Sequence, residues 1–133
     1  MNTEKEKLSL LADMIALARS DGKIKAIEYR FLLVVAEQLG ITKHTLDKLF
    51  TTQVESVQLK PESERILQFH RLVLLMNIDH SSSVLEIEKI KELGIRMGLN
   101  PLATNKVLDI MHQYPDKIVP PPVLIEIFKT YYN

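Results

Sequence analysis

The sequence contains no cysteine and no tryptophan, only four glycines, and no excess of either charge. Without cysteine there can be no disulfide and no thiolate metal site, so a fold of this size must hold through its core alone. Seventeen basic residues balance seventeen acidic ones. A chain that works by neutralising phosphates carries a basic surplus, so this balance argues against a nucleic-acid partner. No run of 18 apolar residues occurs, and the segment Met1–Lys7 is charged rather than signal-like, which predicts neither membrane insertion nor an export leader and leaves a cytoplasmic protein as the expectation. Catalytic signatures are also missing. The sequence has no G-x-S-x-G elbow, no glycine-rich phosphate loop and no H-E-x-x-H, which argues against an enzyme.

What is present is helix punctuation. The 133 residues fit one domain, 1–133, and size scaling gives a folded surface of about 7,100 Å². Thr3 and Glu6 form a capping box ahead of the stripe Leu8, Leu11, Ala12, Ile15, Ala18, and Gly22 stops that helix. A second helix is predicted over 26–39 with Gly40 closing it, and a third from the Thr42 cap to about Thr51. Pro61 suits the first turn of a fourth helix, whose run Leu72–Met76 is apolar all round as in a central helix. Ser83 and Glu86 make a second capping box for a helix ending at Gly98. Asn100–Pro101 opens a helix to about Gln113, and Pro120–Pro122 opens the last one, about 121–132. The reading is all-α, seven helices, with Val54–Leu59 and Ile118–Val119 as short β-like stretches.

Shifting the chain by 58 residues lays Asp21 on Asp79, Glu28 on Glu86, Gly40 on Gly98 and Lys48 on Lys106, with apolar positions following. Helical periodicity alone would not align glycines, turn aspartates and third-position glutamates together, so an internal duplication is predicted, with units at about 8–52 and 66–113.

The stretch Ile15-Ala-Leu-Ala-Arg-Ser-Asp-Gly-Lys-Ile24, followed by Glu28 and Leu39-Gly-Ile-Thr42, resembles the signature of the TerB-like (tellurite-resistance protein B) family, and Ile78-Asp79 through Gly98-Leu99 resembles its second, degenerate unit. The resemblance implies a compact seven-helix bundle of two pseudo-twofold related halves. It also implies a non-enzymatic role linked to stress response, a protein partner that is in some members membrane-associated, and divalent metal at acidic helix ends. Lys23, Lys25 and Ala26 stand where that family often carries acidic residues.

Candidate site residues follow. Asp21 and Glu28, echoed by Asp79 and Glu86, offer oxygen ligands suited to Ca²⁺, Mg²⁺ or Mn²⁺, although the spacing is not that of an EF-hand. The competing reading is local: each glutamate closes a capping box and each aspartate braces its turn. Of the four histidines, His70 and His112 lie on apolar helices, where a structural role is expected, and His80 sits beside Asp79. Phe128, Tyr131 and Tyr132 crowd the C-terminal end and form a candidate partner interface.

Overall fold

Sequence punctuation sets the helix ends of the computed structural model, which describes residues 3–79 and 83–131. Among these residues the chain forms seven α-helices: α1 (Glu4–Arg19), α2 (Ala26–Gln38), α3 (Lys43–Lys48), α4 (Glu62–Asn77), α5 (Val84–Arg96), α6 (Pro101–Ile110) and α7 (Pro121–Thr130). Two 3₁₀ turns, Met111–Gln113 and Pro115–Lys117, join α6 to α7. No strand occurs among the described residues.

The caps are where the sequence puts them. The Thr3 hydroxyl accepts from Glu6 N at 3.1 Å while the Glu6 carboxylate accepts from Thr3 N at 2.7 Å. Ser83 and Glu86 repeat this at 3.1 and 3.0 Å. At α2 only half of the box is made: Glu28 accepts from Lys25 N at 2.8 Å, because a lysine cannot return an acceptor. Thr42 accepts from Thr45 N, and Asn100 accepts from Leu102 N.

The last helix ends at Thr130, short of the expected 132, and two other ends differ further. The third helix closes at Lys48 rather than Thr51, with Leu49, Phe50 and Thr51 tightening into i→i−3 bonds. The sixth ends at Ile110 rather than Gln113. Tyr114 precedes Pro115 and is held extended (φ −111°, ψ 151°), so the chain tightens to 3₁₀ before it. Val54–Leu59 lies in an irregular crossing that pairs with no strand; the Ser9 hydroxyl accepts from Val57 N at 3.0 Å and ties it to α1.

α1 and α4, of 16 residues each, form the most extensive helix pair and the middle of the core. Leu11, Met14 and Leu17 of α1 meet Phe69, Leu72, Leu75 and Met76 of α4, all fully buried. Gln68 is buried in this contact and donates to the Leu10 carbonyl at 3.1 Å, meeting its polar group inside the core. α5 packs on both α1 and α4, α2 on α1, α3 on α2, and α7 on α6. The starts of α1, α2 and α3 each recur 58 residues later as those of α4, α5 and α6, and the first two pairs match in length. No helix among the described residues is long and apolar enough to cross a membrane.

Gly40 and Gly98 close α2 and α5 in the left-handed region, at φ 75° and 77°. Both are followed by a residue donating back into the helix, Ile41 N to Ala36 O at 2.8 Å and Leu99 N to Gly94 O at 3.0 Å. Their surroundings differ. A Cβ at Gly40 meets open space, whereas one at Gly98 would lie 2.7 Å from Gln58 Nε2 and 2.8 Å from Arg65 Nη1. Those two groups cap the end of α5, Gln58 on Arg96 O and Arg65 on Met97 O. Gly40→Ala should therefore cost only the left-handed strain, about 1–2 kcal/mol. Gly98→Ala should cost that plus the displaced hydrogen bonds, at about 1 kcal/mol each. Urea unfolding of both variants checks this; equal losses would show that the Gln58 and Arg65 cap contributes nothing.

Candidate functional site

Two places hold side chains beyond what packing requires. One lies where the turn after α1 meets the turn after α4. The other is a groove between α4 and α7.

At the first, both capping glutamates are buried, Glu28 at 1% exposure and Glu86 at 2%. Burial raises both carboxyl pKa values, and the backbone N–H each accepts only partly offsets this. Glu28 is further raised by the negative charge of Glu86, Asp79 and Asp21, and Glu86 by that of Asp21 and Asp79. Both glutamates thus lie within electrostatic reach of the two turn aspartates. The ammonium of Lys25 reaches across from the first turn to pair with Asp79. This internal cation stands at one of the positions where the TerB-like pattern often has acid, and Asp79 raises the lysine's pKa in return. Among the described residues no group of three or more His, Asp or Glu side chains is arranged to hold a metal ion. His80 lies outside the described residues.

The second place was not read from the sequence. α4 turns Ile66, Leu67 and His70 toward α7, and α7 turns Leu124, Ile125 and Phe128 toward α4, enclosing a volume of about 510 Å³. Glu62 and Lys129 also line it. Leu124 and Phe128 form a buried floor, while Leu67 and Ile125 are left 44% and 47% exposed. Burial lowers the His70 pKa, so the imidazole is neutral at pH 7 and the wall carries no charge there. His70 is thus half-buried on a groove wall, and His44 and His112 are exposed.

The aromatic interface predicted at the C-terminal end is placed differently. Phe128 is 2% exposed and sits edge-on to Phe69, with ring centroids 6.1 Å apart and planes at 75°. It therefore contributes floor rather than a projecting contact. Tyr131 is half-buried against the core, and its carbonyl accepts from Asn100 Nδ2 at 2.8 Å, docking the end of α7 on the start of α6. Tyr132 lies outside the described residues. The signal for the groove was the surplus of apolar residues on α7: Val123, Leu124, Ile125, Ile127 and Phe128 cover more than one face of a ten-residue helix.

A smaller cavity, about 280 Å³, is lined by Phe31, Asn77 and Asp116 among others. Asn77 donates to Met111 Sδ at 3.4 Å, and its Oδ1 finds no partner among the described residues.

Compared with protein-family models, curated proteins and solved structures, the chain finds no match in any of the three.

The buried glutamates give a pH dependence of definite sign. A carboxyl whose folded pKa is raised binds its proton more tightly when folded, so these two groups' contribution to stability is greatest below the ordinary glutamate value of 4.5 and declines as pH rises through the folded pKa. Glu28→Gln with Glu86→Gln keeps a capping oxygen and removes both charges. The double variant should melt at a higher temperature than the wild type at pH 7, with a shallower fall from pH 4.5 upward. Asp13, whose pKa burial also raises, contributes equally to both proteins. Parallel melting curves across that range would show that the glutamate charges carry no strain.

Proposed function

We propose that this chain is a non-enzymatic interaction module of TerB-like build, acting through a partner protein held in the α4–α7 groove. The groove carries the reading. It places a largely apolar surface, with two half-exposed aliphatic side chains, between two helices that each bury another face in the core. An apolar surface left open in this way is the usual mark of a binding site. Within the same reading, the recurrence of helix starts at 58 residues supports a duplicated scaffold of two units, about 8–52 and 66–113. The resemblance of the Asp21–Gly22 and Asp79 turns to TerB-like sequences supports a cytoplasmic role in stress response, with a partner that can be membrane-associated.

Leu67→Glu with Ile125→Glu tests the reading. Both residues are half-exposed, so the double variant should keep its helix content and melting behaviour. Affinity capture from the source cells should yield a discrete protein with the wild type and lose it with the double variant. Identical captures would remove the groove from the function.

A second reading is favoured by the repulsion that Asp21 and Asp79 exert on Glu28 and Glu86, which a divalent cation (Ca²⁺, Mg²⁺ or Mn²⁺) would relieve. In that reading the module senses ions at this junction. An ion at 100 times its dissociation constant adds about 2.7 kcal/mol of stability, a rise of several degrees in melting temperature. Such a rise, abolished by Asp21→Asn with Asp79→Asn, would establish the ion site. No rise with any of the three ions would leave the carboxylates as caps and turn braces.

A further inference from the structure

The cavity of about 280 Å³ at the end of α4 shares no lining residue with the α4–α7 groove. From the chemistry of its lining we infer that it binds a small organic amine, an ammonium group carried on an apolar body. Pockets that take drug-sized ligands usually measure about 300–1,000 Å³, so the occupant of this one is small.

Among the described residues, the lining consists of Phe31, Leu74, Ile78 and Ile118, which are apolar, and Asn77 and Asp116, which are polar. It includes no lysine, arginine or histidine among these residues. Both polar side chains favour a cation. Asp116 brings a carboxylate, which offers about four acceptor positions, more than a single partner fills. Asn77 is only 4% exposed. Its Nδ2 is spent on Met111 Sδ, which lies outside the lining, and its Oδ1 meets no donor among the described residues. A thioether can accept from an N–H but has nothing to donate to an oxygen, which fixes the amide this way round. The buried oxygen therefore keeps an unanswered dipole in the wall, and a nearby ammonium gains from it even without direct contact.

The helix adds to the same sign. Leu74, Asn77 and Ile78 belong to the last turn and cap of α4, where the aligned dipoles of 16 residues leave a negative pole, and that turn carries no basic side chain of its own. Phe31 supplies an aromatic wall, a surface that attracts ammonium groups as well as apolar ones. The carboxylate sits on a strained corner: Asp116 and Lys117 are consecutive non-glycine residues in the left-handed region, at φ 55° and 58°, and strain of this kind gathers at ligand sites. Other ligand classes fit less well. Ca²⁺ seeks about six to eight oxygens and Mg²⁺ about six, whereas most of this lining is hydrocarbon. A carboxylic acid or phosphate would meet acceptors and like charge, and a plain hydrocarbon would leave Asn77 Oδ1 unanswered. An amine with an apolar body answers both kinds of wall.

The test titrates the full chain with 2-phenylethylamine, and in parallel with its neutral analogue 2-phenylethanol and the anionic 3-phenylpropanoate, while NMR follows the side-chain methyl signals. The amine should bind saturably with a dissociation constant of about 1 mM, which ordinary ligand efficiency allows for so few atoms, and should shift the methyls of Leu74, Ile78 and Ile118. It should bind about fivefold more tightly than the alcohol, and the carboxylate should not bind. Asp116→Asn removes the charge at an exposed position where asparagine accepts the same left-handed backbone, so it should keep the helix content and erase most of the preference for amine over alcohol. Asn77→Leu removes the buried oxygen at similar volume and should reduce that preference in part. No saturable shift with the amine, shifts centred away from these methyls, equal binding of the carboxylate, or a preference untouched by Asp116→Asn would each overturn the assignment. None of these outcomes bears on the α4–α7 groove, which is tested at Leu67 and Ile125.

Discussion

The packing of α1 against α4 is the contact on which the rest of the molecule depends. It buries Leu11, Met14 and Leu17 on one side and Phe69, Leu72, Leu75 and Met76 on the other, with Gln68 answered by the Leu10 carbonyl at its centre. Deleting one such side chain typically costs about 2–5 kcal/mol, a large share of what holds a domain of this size together. The same contact orients α4. With one side of α4 committed to α1 and the next to α5, α7 reaches it chiefly through the Phe128–Phe69 edge. Ile66 and Leu67 are then left facing Ile125 across a gap, and the groove follows from the order in which α4 is covered.

α4 also joins two places of opposite character. Its first half walls a neutral, apolar groove; beyond its C-terminal end, Asp79 enters the carboxylate junction. The junction is charged but largely self-sufficient. Glu28 and Glu86 spend their oxygens on the starts of α2 and α5, and Lys25 supplies a cation from within the chain. The groove has no such internal answer, since aliphatic surface is satisfied only by more apolar surface. This contrast is why partner binding is favoured over ion sensing as the proposed function.

Much of the fold was legible because caps and stops are local chemistry. Thr3 with Glu6, Ser83 with Glu86, Asn100 before Pro101, and the glycines at 40 and 98 each mark a helix end within a few residues of themselves. Where the reading overshot, at the ends of α3 and α6, the helix tightened into i→i−3 bonding, which apolar periodicity does not register. The 58-residue shift set the four carboxylates in two pairs, but only the packing of α1, α4 and α5 could show that the two glutamates lie within electrostatic reach of both aspartates. The groove was hidden for a related reason. Aromatic content drew attention to Phe128, which turned out to be floor, while the walls came from Leu67 and Ile125, ordinary aliphatic residues whose significance depends on which helix lies opposite. α7 did carry the clue, in more apolar residues than one buried face requires.

The most direct measurement is site-specific photo-crosslinking in the source cells, with a benzophenone side chain placed at Ile125 in the groove and, as control, at Val34, which is 52% exposed on α2 outside it. The account predicts a discrete crosslinked species of the chain with a second protein from position 125 and none from position 34. The same species from both positions, or crosslinking from position 34 alone, would contradict it.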